Sequence, residues 1–111
     1  MLLTDREQDQ LAASAAGIEI NHYRGDVAMI KRVNSRGQED LVAWRPKVDD
    51  GDALRLAVGL GLDIKHGKLQ QEVYVYGRTV VAEKYAGNPC AATRLAIWKA
   101  AIGMGGKCDG Q

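Results

Sequence analysis

The sequence contains no Phe, and aromatic residues make up only 5% of its 111 residues. Its core must therefore rest on Ala, Val, Leu and Ile, which bury less apolar area per residue than aromatic side chains do. We expect modest stability from such a core unless the chain self-associates. Hydrophobic residues at 46% and charged residues at 26% are the proportions of a soluble globular protein. The length fits one domain.

The sequence also has only two cysteines, no signal-peptide pattern and almost no net charge. Cys90 and Cys108 are too few for a disulfide framework, and they indicate reduced thiols in a cytosolic compartment. The opening "MLLTDREQDQ" lacks the basic region of a signal peptide. No apolar run approaches the roughly 20 residues that cross a bilayer. Fifteen basic and fourteen acidic residues leave a net charge of +1, which excludes a global basic field that attracts nucleic acid.

Three segments carry helix signals. Thr4 and Glu7 form a capping-box pattern and Gly17 supplies a left-handed stop, so the first helix is predicted from Asp5 to Ala16. The second helix follows Asp49 and Asp50. Its apolar side is predicted to carry Ala53, Leu54, Ala57 and Val58, its polar side Asp52 and Arg55, and its end Gly59 and Gly61.

The third helix is predicted to begin at Asn88 and Pro89 and to end at Gly103. Its expected buried stripe is Ala91, Leu95, Trp98 and Ile102. We therefore place the domain at residues 1–103 and expect residues 104–111 to form a polar, Gly-rich tail.

The strands are predicted in two hairpins and one single segment. "VAMIKRV" and "EDLVAW" flank the turn "NSRGQ", and "LDIKH" follows the second helix. In "QEVYVYGRTVVAEKY", a two-residue Gly77–Arg78 loop sets Val75 opposite Val80 and Glu72 opposite Glu83. Both faces of this hairpin are then partly apolar. The expected fold is α+β, with three helices on both faces of a small, mainly antiparallel sheet, an α/β/α sandwich.

Motifs for metal and phosphate binding are weak. Asp49, Asp50 and Asp52 lack the spacing of a calcium loop, so we expect them to cap the second helix, with a metal-dependent enzyme as an alternative. "GMGGKC" and "GLGLDI" miss required positions of the phosphate and dinucleotide loops. The possible zinc ligands are His22, His66, Cys90 and Cys108, and no two of them have the close spacing that is typical of zinc sites. The sequence nominates no cofactor and no catalytic residues.

Surface candidates for binding fall into two groups. Trp98 is expected in the core. The candidate binding residues are Trp44 and Arg45, at a strand end, together with Tyr74 and Tyr76. The first hairpin carries basic residues that can contact phosphates, with Glu39 and Asp40 expected opposite them. These basic residues are Arg24, Lys31, Arg32 and Arg36.

Two segments resemble a known group. "WRPKVDDGDALRLAVGLGL" and "GNPCAATRLAIWKAAIGMG" are similar to small bacteriophage and prophage proteins related to the phage ABA sandwich domain. The matching residues are Trp44, Pro46, Asp50, Asp52 and Ala53, then Ala92, Thr93, Arg94, Ala96 and Ile97. The helix ending "AAGIEI" is similar to that family's opening helix, whereas the first hairpin is longer than expected. The resemblance implies helices sandwiching a small sheet and a phage or prophage origin, but it supplies no catalytic residue.

Together these observations predict a non-enzymatic accessory protein in the cytoplasm of a bacterial host. Its expected partner is a host or phage protein, and nucleic acid is the alternative. A membrane partner is not expected, and self-association is compatible with every reading.

Overall fold

The computed structural model describes residues 3–105, which form three helices and six strands. The order is α1 (Asp5–Ala16), β1 (Ile20–Arg24), β2 (Val27–Val33), β3 (Glu39–Trp44), α2 (Asp50–Leu60), β4 (Asp63–Gly67), β5 (Glu72–Tyr76), β6 (Val80–Lys84) and α3 (Pro89–Gly105). None of the described helices is long and apolar enough to cross a membrane.

The strands form two antiparallel sheets, each built from consecutive strands. Sheet A has the order β1-β2-β3, and sheet B has the order β4-β5-β6. The fold class is therefore α+β, but two sheets stand where the sequence predicted one small sheet with helices on both faces. The two sheets are separate because α2 lies between β3 and β4 in the chain, so β3 and β4 do not continue as a hairpin.

The helix starts follow the sequence signals closely. Thr4 and Glu7 form the reciprocal capping box of α1, and Gly17 ends it with φ of 71°. Asp49 accepts a hydrogen bond from the N–H of Asp52 as the N-cap of α2. Asn88 accepts one from the N–H of Ala91 at the start of α3.

The helix ends follow the prediction only in part. Helix α2 continues through Gly59 to Leu60, and the predicted stop Gly61 caps it. Helix α3 continues through Gly103 to Gly105. A Cβ at Gly105 would collide with the carbonyl oxygen of Leu11, so the packing of α1 on α3 requires glycine there. The predicted end of α3 at Gly103 is therefore two residues too early. Residues 106–111 lie outside the described part.

Helix α3 is the centre of the molecule. It packs against α1, α2, β5 and β6. Its buried positions surround the helix instead of forming the predicted single stripe, and they are Ala92, Ala96, Ile97, Trp98, Ala100, Ala101 and Gly105. Small side chains let neighbouring elements approach a helix closely on several sides. The same core cluster includes Ile30 and Trp44 from sheet A and Val73 and Val75 from sheet B.

The register of the second hairpin differs from prediction by one residue. Its turn has three residues, 77–79, and Tyr76 pairs with Val80 and Val75 with Val81. The shift sets Lys84, and not Glu83, opposite Glu72, at 3.7 Å between Lys84 Nζ and Glu72 Oε2. It therefore replaces a like-charge pair with an attractive pair.

Candidate binding cleft

A large, mainly apolar cleft lies where α2, the start of α3 and β4 meet. Its volume is about 740 Å³, which is within the range of ligand pockets. Helix α2 and the first turns of α3 supply one side of it, and β4 with the loop after it supplies the other. The lining residues are Asp50, Ala53, Leu54, Ile64, His66, Lys68, Gln71, Tyr85, Pro89, Cys90, Thr93, Arg94 and Ile97.

Exposed apolar side chains extend this cleft along α2. Leu54 lines the cleft and is 61% exposed, and Val58, one turn further on the same helix face, is 73% exposed. Sequence reasoning placed both on the buried side of α2. The buried positions are instead Asp52, Ala53, Leu56 and Ala57.

Polar groups converge at two points of the cleft. The ring nitrogen Nδ1 of His66 and the hydroxyl of Tyr85 lie 2.6 Å apart. On the opposite wall, the Arg94 guanidinium binds the carboxylate of Asp50 and the carbonyl oxygen of Lys47. Arg94 therefore closes the gap between the start of α2 and α3. These groups can orient a ligand that is mainly apolar.

The three acidic residues of the predicted cluster have separate structural roles. Asp49 caps α2, Asp50 binds Arg94, and Asp52 is buried. Asp52 was expected on the polar side of α2, but its side chain faces sheet A. Its oxygens accept hydrogen bonds from the Arg45 backbone N–H at 2.9 Å, Arg32 at 3.2 Å and Arg55 at 2.7 Å.

Burial by itself would raise the pKa of Asp52. The hydrogen bonds from the Arg45 backbone, Arg55 and Arg32 outweigh burial and hold the pKa of Asp52 below its ordinary value. Within residues 3–105 there is no group of three or more His, Cys, Asp or Glu side chains that could hold a metal ion. The candidate zinc ligands are also dispersed, because His22 is on β1 and His66 on β4, and Cys108 lies outside the described residues.

The predicted basic hairpin does not form one basic face. Arg24 ends β1 at the turn to β2, whereas Arg36 lies in the turn at the opposite end of sheet A. Lys31 and Arg32 are neighbours on β2, so their side chains point to opposite faces. Arg32 is also bound to Asp52.

Among the other predicted surface residues, Trp44 is buried and the rest are accessible. Trp44 is 3% exposed and packs on Trp98, with ring centroids 5.8 Å apart. Because β3 delivers Trp44 into the core, it is not an exposed anchor. Arg45 is exposed, and Tyr76 is 40% exposed on the outer face of sheet B. The neighbouring Tyr74 hydroxyl donates to Glu72, and this hydrogen bond raises the pKa of Tyr74.

In the sequence, His66 and Cys90 are indicated only as weak candidate zinc ligands, and no motif indicates Tyr85. These residues meet in the cleft because β4, the residue after β6 and the first turn of α3 come together only in the folded chain, which no local spacing reveals. One sequence pattern could have indicated the cleft. The helical spacing of Asp52, Ala53, Leu56 and Ala57 is that of the buried face of α2, which leaves Leu54 and Val58 exposed.

No family model, curated protein or solved structure matches this chain.

Proposed function

We propose that the protein is a non-enzymatic binding protein that holds an apolar segment of a partner protein in the cleft between α2, α3 and β4. The observation that carries this proposal is the apolar cleft together with Leu54 and Val58 exposed beside it. Contiguous exposed apolar surface of this kind is a common mark of interaction sites. The polar groups of His66, Tyr85 and Arg94 lie where they can orient the segment.

The proposed origin is a phage or prophage genome, and this rests on the sequence resemblance. The two resembling segments meet in the fold through the Asp50–Arg94 ion pair. Ala53, Thr93 and Ile97 from the same segments also line the cleft. The partner would then be a host or phage protein, and the protein would act in the cytoplasm of the bacterial host.

The test is a pull-down from bacterial lysate with wild type, Leu54→Lys and Val33→Lys, each run with and without nuclease. Leu54 and Val33 are 61% and 64% exposed, so both substitutions add the same charge at a solvent-facing apolar position. Val33 ends β2 in sheet A and does not line the cleft. We expect a protein that survives nuclease, is retained by wild type and Val33→Lys, and is lost with Leu54→Lys.

Two outcomes contradict this proposal. A partner retained equally by all three proteins would place binding outside the cleft. Partners lost on nuclease treatment would favour the nucleic-acid alternative. For that alternative, Arg32 is bound to Asp52, which leaves the exposed Arg24, Lys31 and Arg36 of the predicted basic residues to contact phosphates. Its affinity would fall steeply with salt.

A further inference from the structure

The two sheets have four edge strands, and three of these carry features that discourage pairing with another chain. Strand β1 has a register irregularity between Ile20 and His22. Strand β3 opens with the adjacent acids Glu39 and Asp40 and has no basic residue. Strand β4 carries Lys65 at its centre. Irregularities and charges on an edge strand are the usual protection against edge-to-edge association.

Strand β6 is the exception. Its sequence is VVAEK, which is regular, contains no proline and has one acid and one base at its end. Val80 is 58% exposed, and Ala82 is also exposed. A regular edge strand with exposed small and branched residues is a template for another strand.

The backbone of β6 presents its free groups at alternate residues. The N–H of Tyr85 donates to the carbonyl of Gln71 at 2.8 Å, directly beyond the Lys84–Glu72 pair. Backbone groups of an antiparallel pair point toward the partner strand at every second residue. The N–H and C=O groups of Val80, Ala82 and Lys84 therefore point away from β5, toward the open edge.

These outward groups fit a second copy of the same strand. Antiparallel pairing about a two-fold axis at Ala82 brings Ala82 opposite Ala82 of the second copy, and Val80 opposite the second copy's Lys84. All of these residues have outward backbone groups, so the ladder can close six hydrogen bonds. On the other face, Val81 lies opposite Glu83, and no like charges are directly opposite. The same operation on β4 about Lys65 would bring two lysines together.

We propose that β6 pairs with β6 of a second copy around Ala82 and joins the two B sheets into one six-stranded sheet. The exposed Val80 then lies beside the aliphatic stem of Lys84 from the second copy, which covers part of its surface. Five residues per copy make a small interface, so the dimer is weak and its population depends on concentration. No residue of β6 lines the cleft. Dimerisation can therefore be tested independently of the proposed partner binding.

Sedimentation velocity of the full chain from about 10 μM to about 1 mM covers the range expected for so small an interface. Ala82→Lys brings two ammonium groups face to face across the axis, at a Cα separation of about 5.5 Å. Leu41→Lys is the matched control, because Leu41 is a 43% exposed residue on the protected edge strand β3. We expect wild type and Leu41→Lys to dimerise with rising concentration and Ala82→Lys to associate at least tenfold more weakly.

A wild type that stays monomeric across the range overturns the proposal. An Ala82→Lys protein that dimerises as wild type does, or a Leu41→Lys protein that loses the dimer, also overturns it, because the interface would then lie elsewhere. Circular dichroism of each variant confirms that the monomer is folded.

The register is tested by oxidation of single-cysteine variants in a Cys90→Ser, Cys108→Ser background. The Ala82→Cys thiols meet at the axis within disulfide range, whereas Thr79→Cys thiols are separated by about 20 Å, since each is three residues from the axis. We expect a covalent dimer from Ala82→Cys and none from Thr79→Cys. Equal cross-linking of both, or none of either, rejects the pairing about Ala82.

Discussion

Sheets A and B are both three-stranded and antiparallel, but they are attached to the helices by different chemistry. Sheet A is held by a buried polar network, in which Asp52 of α2 binds Arg32 of β2 and the backbone of Arg45 after β3. Sheet B is held by Val73 and Val75, which are fully buried against the core that contains α3. The first attachment depends on paired donors and acceptors, and the second depends on packed volume.

This difference explains how the two sheets are held to the helices in a core without phenylalanine. Aliphatic burial against the small residues of α3 is the main attachment of sheet B, and the Lys99–Glu83 ion pair adds a polar contact between α3 and β6. Sheet A supplies one of the few large aromatic contacts, Trp44 on Trp98, beside the Asp52 network. A buried carboxylate is destabilising unless its partners are in place, so the Asp52 network favours one specific placement of α2 on sheet A. The two attachments should therefore fail differently.

The largest effect is expected from Asp52→Ala. Removing the buried carboxylate leaves Arg32 and the Arg45 N–H without their acceptor, and breaking such a network costs about 3–5 kcal/mol. Asp50→Ala is the matched control, since the Asp50 side chain is 70% exposed in its pair with Arg94, and its loss should cost at most about 1 kcal/mol. Urea unfolding measures both values. Equal losses in the two variants would mean that the buried network adds nothing to the attachment of sheet A.

Removing volume from sheet B should have the next largest effect. Val75→Ala removes two methyl groups from a fully buried position of β5, which we expect to cost about 2 kcal/mol. Val80→Ala makes the same chemical change in the same sheet at a residue that is 58% exposed, and should change stability by less than about 0.5 kcal/mol. Hydrogen exchange sharpens the comparison, because Val75→Ala should release amides of sheet B first and Asp52→Ala those of sheet A. These measurements use dilute protein, so that self-association does not contribute.

The sequence was most informative where a local signal is sufficient. Thr4, Glu7 and Gly17 bound α1 because caps are made within a few residues of the chain. The Gly77–Arg78 dipeptide suggested a two-residue loop, but the observed register sets Lys84 opposite Glu72 and packs Val81 of β6 against the core. A shift of one residue moves every side chain of β6 to the opposite face, so a small error in the turn reversed which residues of β6 face solvent.

Helix α2 gives the corresponding lesson for the candidate site. Its acidic start correctly indicated a capped helix, yet Asp52 was assigned to solvent because an isolated carboxylate is rarely buried. Its partner Arg32 is twenty residues away and meets it only after sheet A folds. Prediction of the cleft depended on the same assignment of the buried face of α2. When Asp52 faces the protein interior, Leu54 and Val58 face solvent.

The smallest effect is an effect of pH, and it concerns the side of sheet A near α1. Burial raises the pKa of Asp9 to about 6, while the nearby Lys47 opposes this shift and Asp5 adds to it. The unfolded chain gives up the Asp9 proton near its ordinary pKa of about 3.9. The folded state holds that proton more tightly, so the stabilisation is fully present below the unfolded pKa and is lost as pH rises through about 6.

Asp9→Asn removes this dependence while keeping the side chain's size and polarity. Because Asp9 is only partly buried, solvent screening reduces the effect, and we expect the variant to be more stable than wild type by about 1 kcal/mol above pH 7. The two should be about equally stable near pH 4, where both side chains are neutral in the folded state. Urea midpoints of the two proteins are compared at pH 4, 6 and 8. Asp52 is present in both proteins, so its sensitivity to acid cancels in the comparison. Equal midpoints at pH 8 would show that the folded protein accommodates the Asp9 charge without cost, and polar groups on the α1 side of sheet A would then add no pH dependence to its attachment.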